Sequence, residues 1–419
     1  MLYLYSFLFY LATPAIFLRL LWRSRRLPAY RQRLLERLGF YPHQLTQSIW
    51  VHAVSVGEVL AAVPLIKELI QCYPNRQIVV TTMTPTGAEQ VLSQFKHTVT
   101  HYYIPYDLPC AVKRFIKRIN PQVAIIMETE IWPNLLNECA KQQVPVFLLN
   151  ARLSAKSAQG YARIASITEH ALRCIKMIAA HGAEDAARFA ELGADPANIT
   201  VTGNIKFDLQ LPANLLQVGQ AIRERLGKRR FVWIAASTHG GEEEILLAAH
   251  SLLLQTLPTA LLLLVPRHPD RFDAVYKLSA SKLSTVRRSL NEDASADTQV
   301  YLADTMGELL NLYSAADVAF IGGSLIARGG HNMLEPGALG LPLLIGPSTY
   351  NFKEIAQLFL QAGAMQKITN AEQLAEQLLT LANSVSLRST IGAKAREVVE
   401  ANRGALQKQL QIVTPYINK

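Results

Sequence analysis

Short apolar, β-rich runs alternate with amphipathic helical stretches twice along this chain, and that repeated alternation limits the folds open to it. The runs Ile49–Ala53, Ile78–Thr82, His101–Ile104, Val123–Met127, Val146–Leu149 and Met177–Ala180 predict one set of strands. Phe231–Ala236, Leu261–Val265, Gln299–Ala303, Val318–Ile321 and Leu343–Ile345 predict a second set, closed by one or two helices over Ile391–Tyr416. Strands separated by helices pair in parallel through crossovers, and near-continuous hydrophobicity predicts burial on both faces. Between the sets, Asp208–Arg230 is more polar, contains Pro212 and the basic run Gly227–Arg230, and interrupts the pattern. The expected class is therefore α/β, with two Rossmann-like domains at 23–208 and 231–419 joined by a linker at 209–230. Such units leave a cleft between them, and ligands bind beyond the carboxyl ends of the strands.

Ahead of the first domain, Met1–Leu18 is uncharged and rich in Leu, Phe and Tyr, and Arg19, Arg23, Arg25, Arg26, Arg31, Arg33 and Arg37 follow it. A secretory signal carries its positive charge before the apolar stretch. The reversed order predicts a retained membrane anchor at 1–22. A span needs about 20 apolar residues, which puts this segment near the lower limit, with Pro14 inside it. The positive-inside rule would hold the arginines and all that follows in the cytoplasm, against anionic lipid. An apolar helix docked on the protein itself, or one lying in the interface plane, has the same composition.

The net charge of +10 also points to anionic partners. Nucleic acid is excluded as the expected partner: there is no zinc-finger spacing, RNP-like aromatic motif or basic tail. Cys72, Cys110, Cys139 and Cys174 lack metal-ligand spacing and are expected to be reduced and part-buried.

The loops after strands carry the unusual residues. His52-Ala53-Val54-Ser55-Val56-Gly57-Glu58 leads into a helix. Ser55 and Glu58 have capping-box spacing, while Glu58 is equally placed to act as a general base at the cleft. Glu128 and Glu130, in Met127-Glu128-Thr129-Glu130-Ile131-Trp132-Pro133, follow a buried strand, where carboxylates are costly unless paired or functional. Glu128, coming straight off the strand, is the better candidate, although alternation puts both on one side; helix-start charges are the bland reading. Arg152 in Asn150–Ser154 suits a phosphate or carboxylate, and Lys206 beside the linker either reaches the cleft or is a solvated surface lysine.

In the second half, Pro266-Arg267-His268-Pro269 fixes a loop and aims Arg267 at a phosphate. Asp304-Thr305-Met306-Gly307-Glu308 opens a helix whose free N–H groups suit an anion. Ile321-Gly322-Gly323-Ser324, with Arg328-Gly329-Gly330-His331-Asn332-Met333-Leu334-Glu335-Pro336, is the strongest signal. Its glycines permit close backbone approach, Asn332 stands where a helix begins, and Glu335 is placed to accept from ribose hydroxyls.

These motifs together resemble the 3-deoxy-D-manno-octulosonic acid (Kdo) transferases of lipopolysaccharide assembly. The resemblance rests on Ser55–Glu58, Thr82–Gly87, Met127–Asn134, Asn150–Ser154, Pro266–Pro269 and Gly329–Glu335, and it spans the chain. It implies a GT-B glycosyltransferase fold and inverting transfer of Kdo from CMP-Kdo to the lipid A precursor at the cytoplasmic face of the bacterial inner membrane. By motif match, Glu58 would be the catalytic base, and Glu128 and Lys206 would support the transition state. Pro266, Arg267, Met306, Gly307, Glu308, Asn332, Met333, Leu334 and Glu335 would contact CMP. No Asp-x-Asp motif is present, so no metal and no cofactor are expected. A UDP-sugar transferase, a UDP-sugar epimerase and a nucleotide-binding membrane scaffold are the rival readings.

Overall fold

The computed structural model describes residues 1–25 and 27–417; Arg26 of the expected arginine cluster, and the last two residues of the expected second domain, lie outside the described residues. The chain divides into two compact units, Met1–Asp208 with Arg403–Lys419, and Leu209–Asn402. Each is a Rossmann-like α/β unit, the pair of modules that defines a GT-B fold.

The first unit is built on seven parallel strands: β1 (Ser48–His52), β2 (Ile78–Thr82), β3 (Thr100–Tyr103), β4 (Pro121–Met127), β5 (Val146–Ala151), β6 (Met177–Ala180) and β7 (Ile199–Val201). Their order is β3-β2-β1-β4-β5-β6-β7. Side chains alternate across the pleat, so each strand feeds two cores. Trp50, Ala124 and Leu148 pack with Phe115 and Leu135 on one face, and Ile49, Val51 and Phe147 with Leu65 on the other. This two-sided burial explains the unbroken hydrophobic runs. The helix Leu2–Arg23 also belongs to this unit.

The second unit repeats the scheme with β8 (Val232–Thr238), β9 (Leu261–Pro266), β10 (Thr285–Arg287), β11 (Val300–Leu302), β12 (Val318–Ile321), β13 (Leu343–Ile345) and β14 (Met365–Lys367). The order is β10-β11-β9-β8-β12-β13-β14, again all parallel. Strand order reverses between β1 and β4 in one sheet and between β8 and β12 in the other. These are the switch points where such sheets bind ligands.

Three expectations need correction. The segment 209–230 is not a linker: the helix Leu215–Leu226 buries Leu215, Ile222 and Leu226 in the second unit. Gly219 of that helix lies against Ser314, where a Cβ would meet Oγ at 2.3 Å, and Arg223 pairs with Asp317 at 2.9 Å. Nor does the second domain run to the end of the chain. Leu406, Leu410 and Val413 of the helix Ala405–Val413 complete the first unit's core. Asp208 fixes that helix by accepting from Gly404 N at 2.6 Å and Leu406 N at 2.7 Å. Finally, all four cysteines are free thiols, but Cys72 and Cys110 are exposed rather than part-buried.

Candidate active site

The first switch point gathers three carboxylates. Glu58 stands in the first turn of the helix Val56–Cys72, straight after β1. Its Oε2 accepts from Val54 N at 2.6 Å and its Oε1 from Ser55 Oγ at 3.0 Å. A capping box would have Ser55 accepting from the helix backbone, and Ser55 makes no such bond. Glu58 therefore grips the loop that holds it, and the residue is 9% exposed. Burial, with the charges of Glu130 and Glu128 beside it, pushes the Glu58 carboxyl up to about 7 against the pull of the Val54 and Ser55 bonds. Both charge neighbours lie in the loop after β4, which is adjacent to β1.

Glu128 leaves β4 with φ +60°, a left-handed conformation uncommon for a residue with a side chain. Its N–H still bonds Leu149 O at 3.0 Å, so the turn begins while the chain remains tied to β5. The Glu128 Oε1 lies 3.5 Å from Lys206 Nζ. Glu130 accepts from Trp132 Nε1 at 2.7 Å and is pushed up by burial, a push that this bond opposes and Glu128 reinforces. The two acids thus take different partners.

Lys206 lies in the turn Ile205–Phe207, whose start is fixed by Asn150 Oδ1 accepting from Ile205 N at 2.9 Å. Around it are groups with unspent hydrogen-bonding capacity. Asn150 Nδ2 and both ring nitrogens of His181 are buried without a hydrogen-bond partner among the described residues. Burial, then the charges of Lys206 and Arg152, hold His181 down to about 3. A lysine, a neutral histidine and an amide with free donors make this corner receptive to an anion. His181 was not singled out from the sequence, although it follows β6 directly and the strand-end rule that selected Glu128 applies to it equally.

In the second unit, the switch point is organised by Glu242, a fully buried residue also missed in the sequence. Its carboxylate accepts from His239 N at 3.1 Å, Gly323 N at 2.7 Å, and Ser324 N and Leu325 N at 2.9 Å. The Gly-rich loop after β12 is thereby pinned to the loop after β8. Gly322 is required there: a Cβ would lie 2.5 Å from Ser237 O.

Above this loop, His239 and His331 stack with rings at 10° and their Nε2 atoms 2.8 Å apart; His268 meets His239 edge-on at 5.3 Å. Burial first, then neighbouring histidines and arginines, hold His239 and His331 at about 4. Arg267 leaves the end of β9 exposed, without a carboxylate partner among the described residues. By contrast, Arg271 is committed to Glu243 at 2.6 Å.

The remaining predicted residues divide by access. Pro266 is buried at the end of β9, and Met333 and Leu334 are 0% and 1% exposed, so these three face the core and offer a ligand no surface of their own. Asn332 precedes the short helix Leu334–Ala338, accepting from Leu334 N and donating to Glu335 Oε1, both at 3.0 Å. Burial pushes Glu335 up, opposed by that bond. Met306 and Gly307 are exposed in the turn before the helix Leu309–Tyr313, which the segment Asp304–Glu308 opens as expected. Glu308 is already held by Arg288 in a two-pronged pair at 2.6 and 2.7 Å, which keeps its carboxyl below the usual range.

Residues 32–209 match the family model for 3-deoxy-D-manno-octulosonic-acid transferase (kdotransferase), and residues 236–398 match that for glycosyl transferases group 1. A 3-deoxy-D-manno-octulosonic acid transferase from Haemophilus influenzae is 43% identical over 100% of this chain and 99% of its own. One from Bordetella pertussis is 36% identical over 90% of this chain and 89% of its own. Among solved structures, a UDP-GlcNAc 2-epimerase from Neisseria meningitidis superposes with a TM-score of 0.59, covering 88% of this chain and 100% of that one. At 15% identity, that likeness is one of fold.

Proposed function

The chain belongs to the 3-deoxy-D-manno-octulosonic acid transferase family, and on that premise we propose that it moves Kdo from CMP-Kdo to the lipid A precursor, lipid IVA, with inversion. It works at the cytoplasmic face of the inner membrane. The observation that carries this reading is Glu58, a carboxyl buried beside a switch point and pushed up to about 7. A sugar hydroxyl is a poor nucleophile, and a base titrating near neutrality is suited to take its proton as the hydroxyl oxygen attacks the anomeric carbon. The new glycosidic bond forms as the bond from that carbon to the CMP phosphate oxygen breaks.

Charge then accumulates on the departing phosphate. Arg267, exposed and without a carboxylate partner among the described residues, is the side chain available to meet it, with Met306–Glu308 and Asn332–Glu335 beside the nucleotide. Met333, Leu334 and Pro266, themselves buried, contribute by shaping the loops that carry Asn332, Glu335 and Arg267. Lys206, oriented by Glu128, neutralises the carboxylate of the donor sugar. The net charge of +10 favours a phosphorylated acceptor on an anionic membrane.

Incubating the purified chain with CMP-Kdo and lipid IVA, and reading the product by mass, tests the reading. A mass gain of Kdo that disappears in Glu58→Gln is the expected result. Turnover with UDP-sugars and none with CMP-Kdo would overturn it.

A further inference from the structure

We propose that the helix Leu2–Arg23 lies in the plane of the membrane, with its outward face in an anionic phospholipid surface, and does not cross the bilayer. The proposal rests on the membrane association proposed above and specifies its geometry. A helix that crosses a bilayer leaves its folded body at one end. This one is attached along its length. Near its start, Tyr5 OH donates to Asp107 Oδ2 at 3.0 Å and Ser6 Oγ to Asn134 Oδ1 at 2.9 Å. Farther on, Phe17 meets Tyr106 edge-on at 5.7 Å, and Leu20 closes a small core with Tyr106, Leu108 and Ala111. From Tyr5 to Leu20 is about 22 Å of helix at about 1.5 Å per residue, most of a hydrocarbon layer about 30 Å thick.

A crossing helix would have to choose between two costs. If it stayed docked, its body would enter the bilayer with it. The groove beside the first turns is lined by Glu138, Lys141 and His170, which would then sit at hydrocarbon depth. If it undocked, Tyr5 and Ser6 would lose their partners, and Asp107 and Asn134, both buried, would open to solvent along with the Leu20 core. A helix lying flat meets neither cost.

The face turned away from the body is the one such a helix needs. Leu4, Phe7, Leu8, Leu11, Leu18 and Leu21 are exposed at helical spacing. Charge matches an anionic surface at both borders. Arg19 and Arg23 flank the apolar face, and the adjoining helix Pro109–Ile119, which Tyr10 touches through Cys110 Sγ at 3.0 Å, carries Lys113 and Lys117 exposed.

Sidedness of the amino terminus tests this. The full chain, carrying an epitope tag and a protease site ahead of Met1, is expressed in cells, and inverted inner-membrane vesicles and intact spheroplasts are prepared. The tag should be removed by protease in inverted vesicles and protected in spheroplasts. The reverse pattern overturns the in-plane geometry and leaves membrane association intact; a chain absent from the vesicles overturns both. Leu11→Asp, on the outward face, should move at least 10-fold more of the chain into the soluble fraction with an unchanged unfolding midpoint. Retention of that variant in the membrane also overturns the proposal.

Discussion

Lys206 Nζ lies 3.5 Å from Glu128 Oε1, joining the turn Ile205–Phe207 to the end of the first unit's central strand β4. The two side chains are 30% and 24% exposed, and the contact is long, so as a salt bridge it contributes little to stability, under about 1 kcal/mol. Glu128 reaches it through a left-handed backbone conformation, and in the proposed reaction the contact serves to orient Lys206 rather than to hold the fold.

Lys206→Ala is therefore expected to separate stability from activity. Denaturant unfolding should shift by less than about 1 kcal/mol, while turnover falls about 100-fold, the scale of losing one charge-stabilising group. Equal, small effects on both would return Lys206 to the solvated surface.

Glu58 gives a pH dependence with a defined sign. The base acts when deprotonated, so turnover should rise with pH through about 7, and Glu58→Gln should remove the step with a loss of at least about 100-fold. Stability runs the other way. The folded carboxyl holds its proton up to about 7, the unfolded one only to 4.5, so stability is lost as pH rises through that window. The melting temperature of Glu58→Gln relative to the unaltered chain should accordingly be higher at pH 8 than at pH 4; a pH-independent difference would show that Glu58 is not raised.

Glu242 should behave as a structural residue. It holds backbone amides from both loops of the second switch point, and Glu242→Ala leaves four donors unmet, two of them buried and two part-buried. At about 1–3 kcal/mol per unmet group, partly relieved by water entering the space, a loss of at least about 3 kcal/mol is expected in urea unfolding. Nucleotide binding should weaken with it, because the Gly-rich loop loses its anchor. Unchanged stability would mean that the loop holds itself.

Much of this was legible in the sequence, and what was missed has a common cause. Ile78–Thr82, Met177–Ala180, Val318–Ile321 and Leu343–Ile345 are strands with the bounds their apolar runs imply, because a strand buried on both faces has no polar alternation to blur its ends. β7, β10 and β14 were missed because each forms a sheet edge, is short and is largely unburied. Glu58 and Glu128 announced themselves as acids at strand ends. Glu242 did not, since three of its four amide partners are 81 to 83 residues away, and nothing local marks them. Met333 and Leu334 belonged to a motif whose spacing is readable, but which of its side chains face the core depends on the packing of a five-residue helix.

Arg267→Ala should weaken CMP binding by about 1.5–3 kcal/mol, the range for a hydrogen bond to a charged group, measured by calorimetry on the full chain. No carboxylate pairs with this guanidinium among the described residues, so its removal leaves no buried charge behind, and stability should hold within about 0.5 kcal/mol. Unchanged CMP affinity would remove it from the site.

His250 makes a local acid-sensitivity prediction. It is fully buried; its Nδ1 accepts from Trp233 Nε1 at 3.1 Å, and its Nε2 faces Gln299 O at 2.8 Å. The tautomer follows: Nε2 carries the proton and Nδ1 has none. Protonating Nδ1 would turn that acceptor into a donor facing the indole N–H, and burial accordingly holds His250 down to about 4 against 6.5. Because the unfolded chain takes up this proton first, the stability His250 contributes is present above about 6.5 and is lost as pH falls toward 4. Raised carboxyls such as Glu58 and Asp107 act with the opposite sign in overlapping windows, so the bare melting profile mixes the two. A His250→Asn comparison isolates the histidine's contribution: the unaltered chain's advantage in melting temperature should shrink steadily from pH 6.5 to pH 4. A constant advantage would mean that the imidazole is protonated in the fold and that Trp233 donates elsewhere.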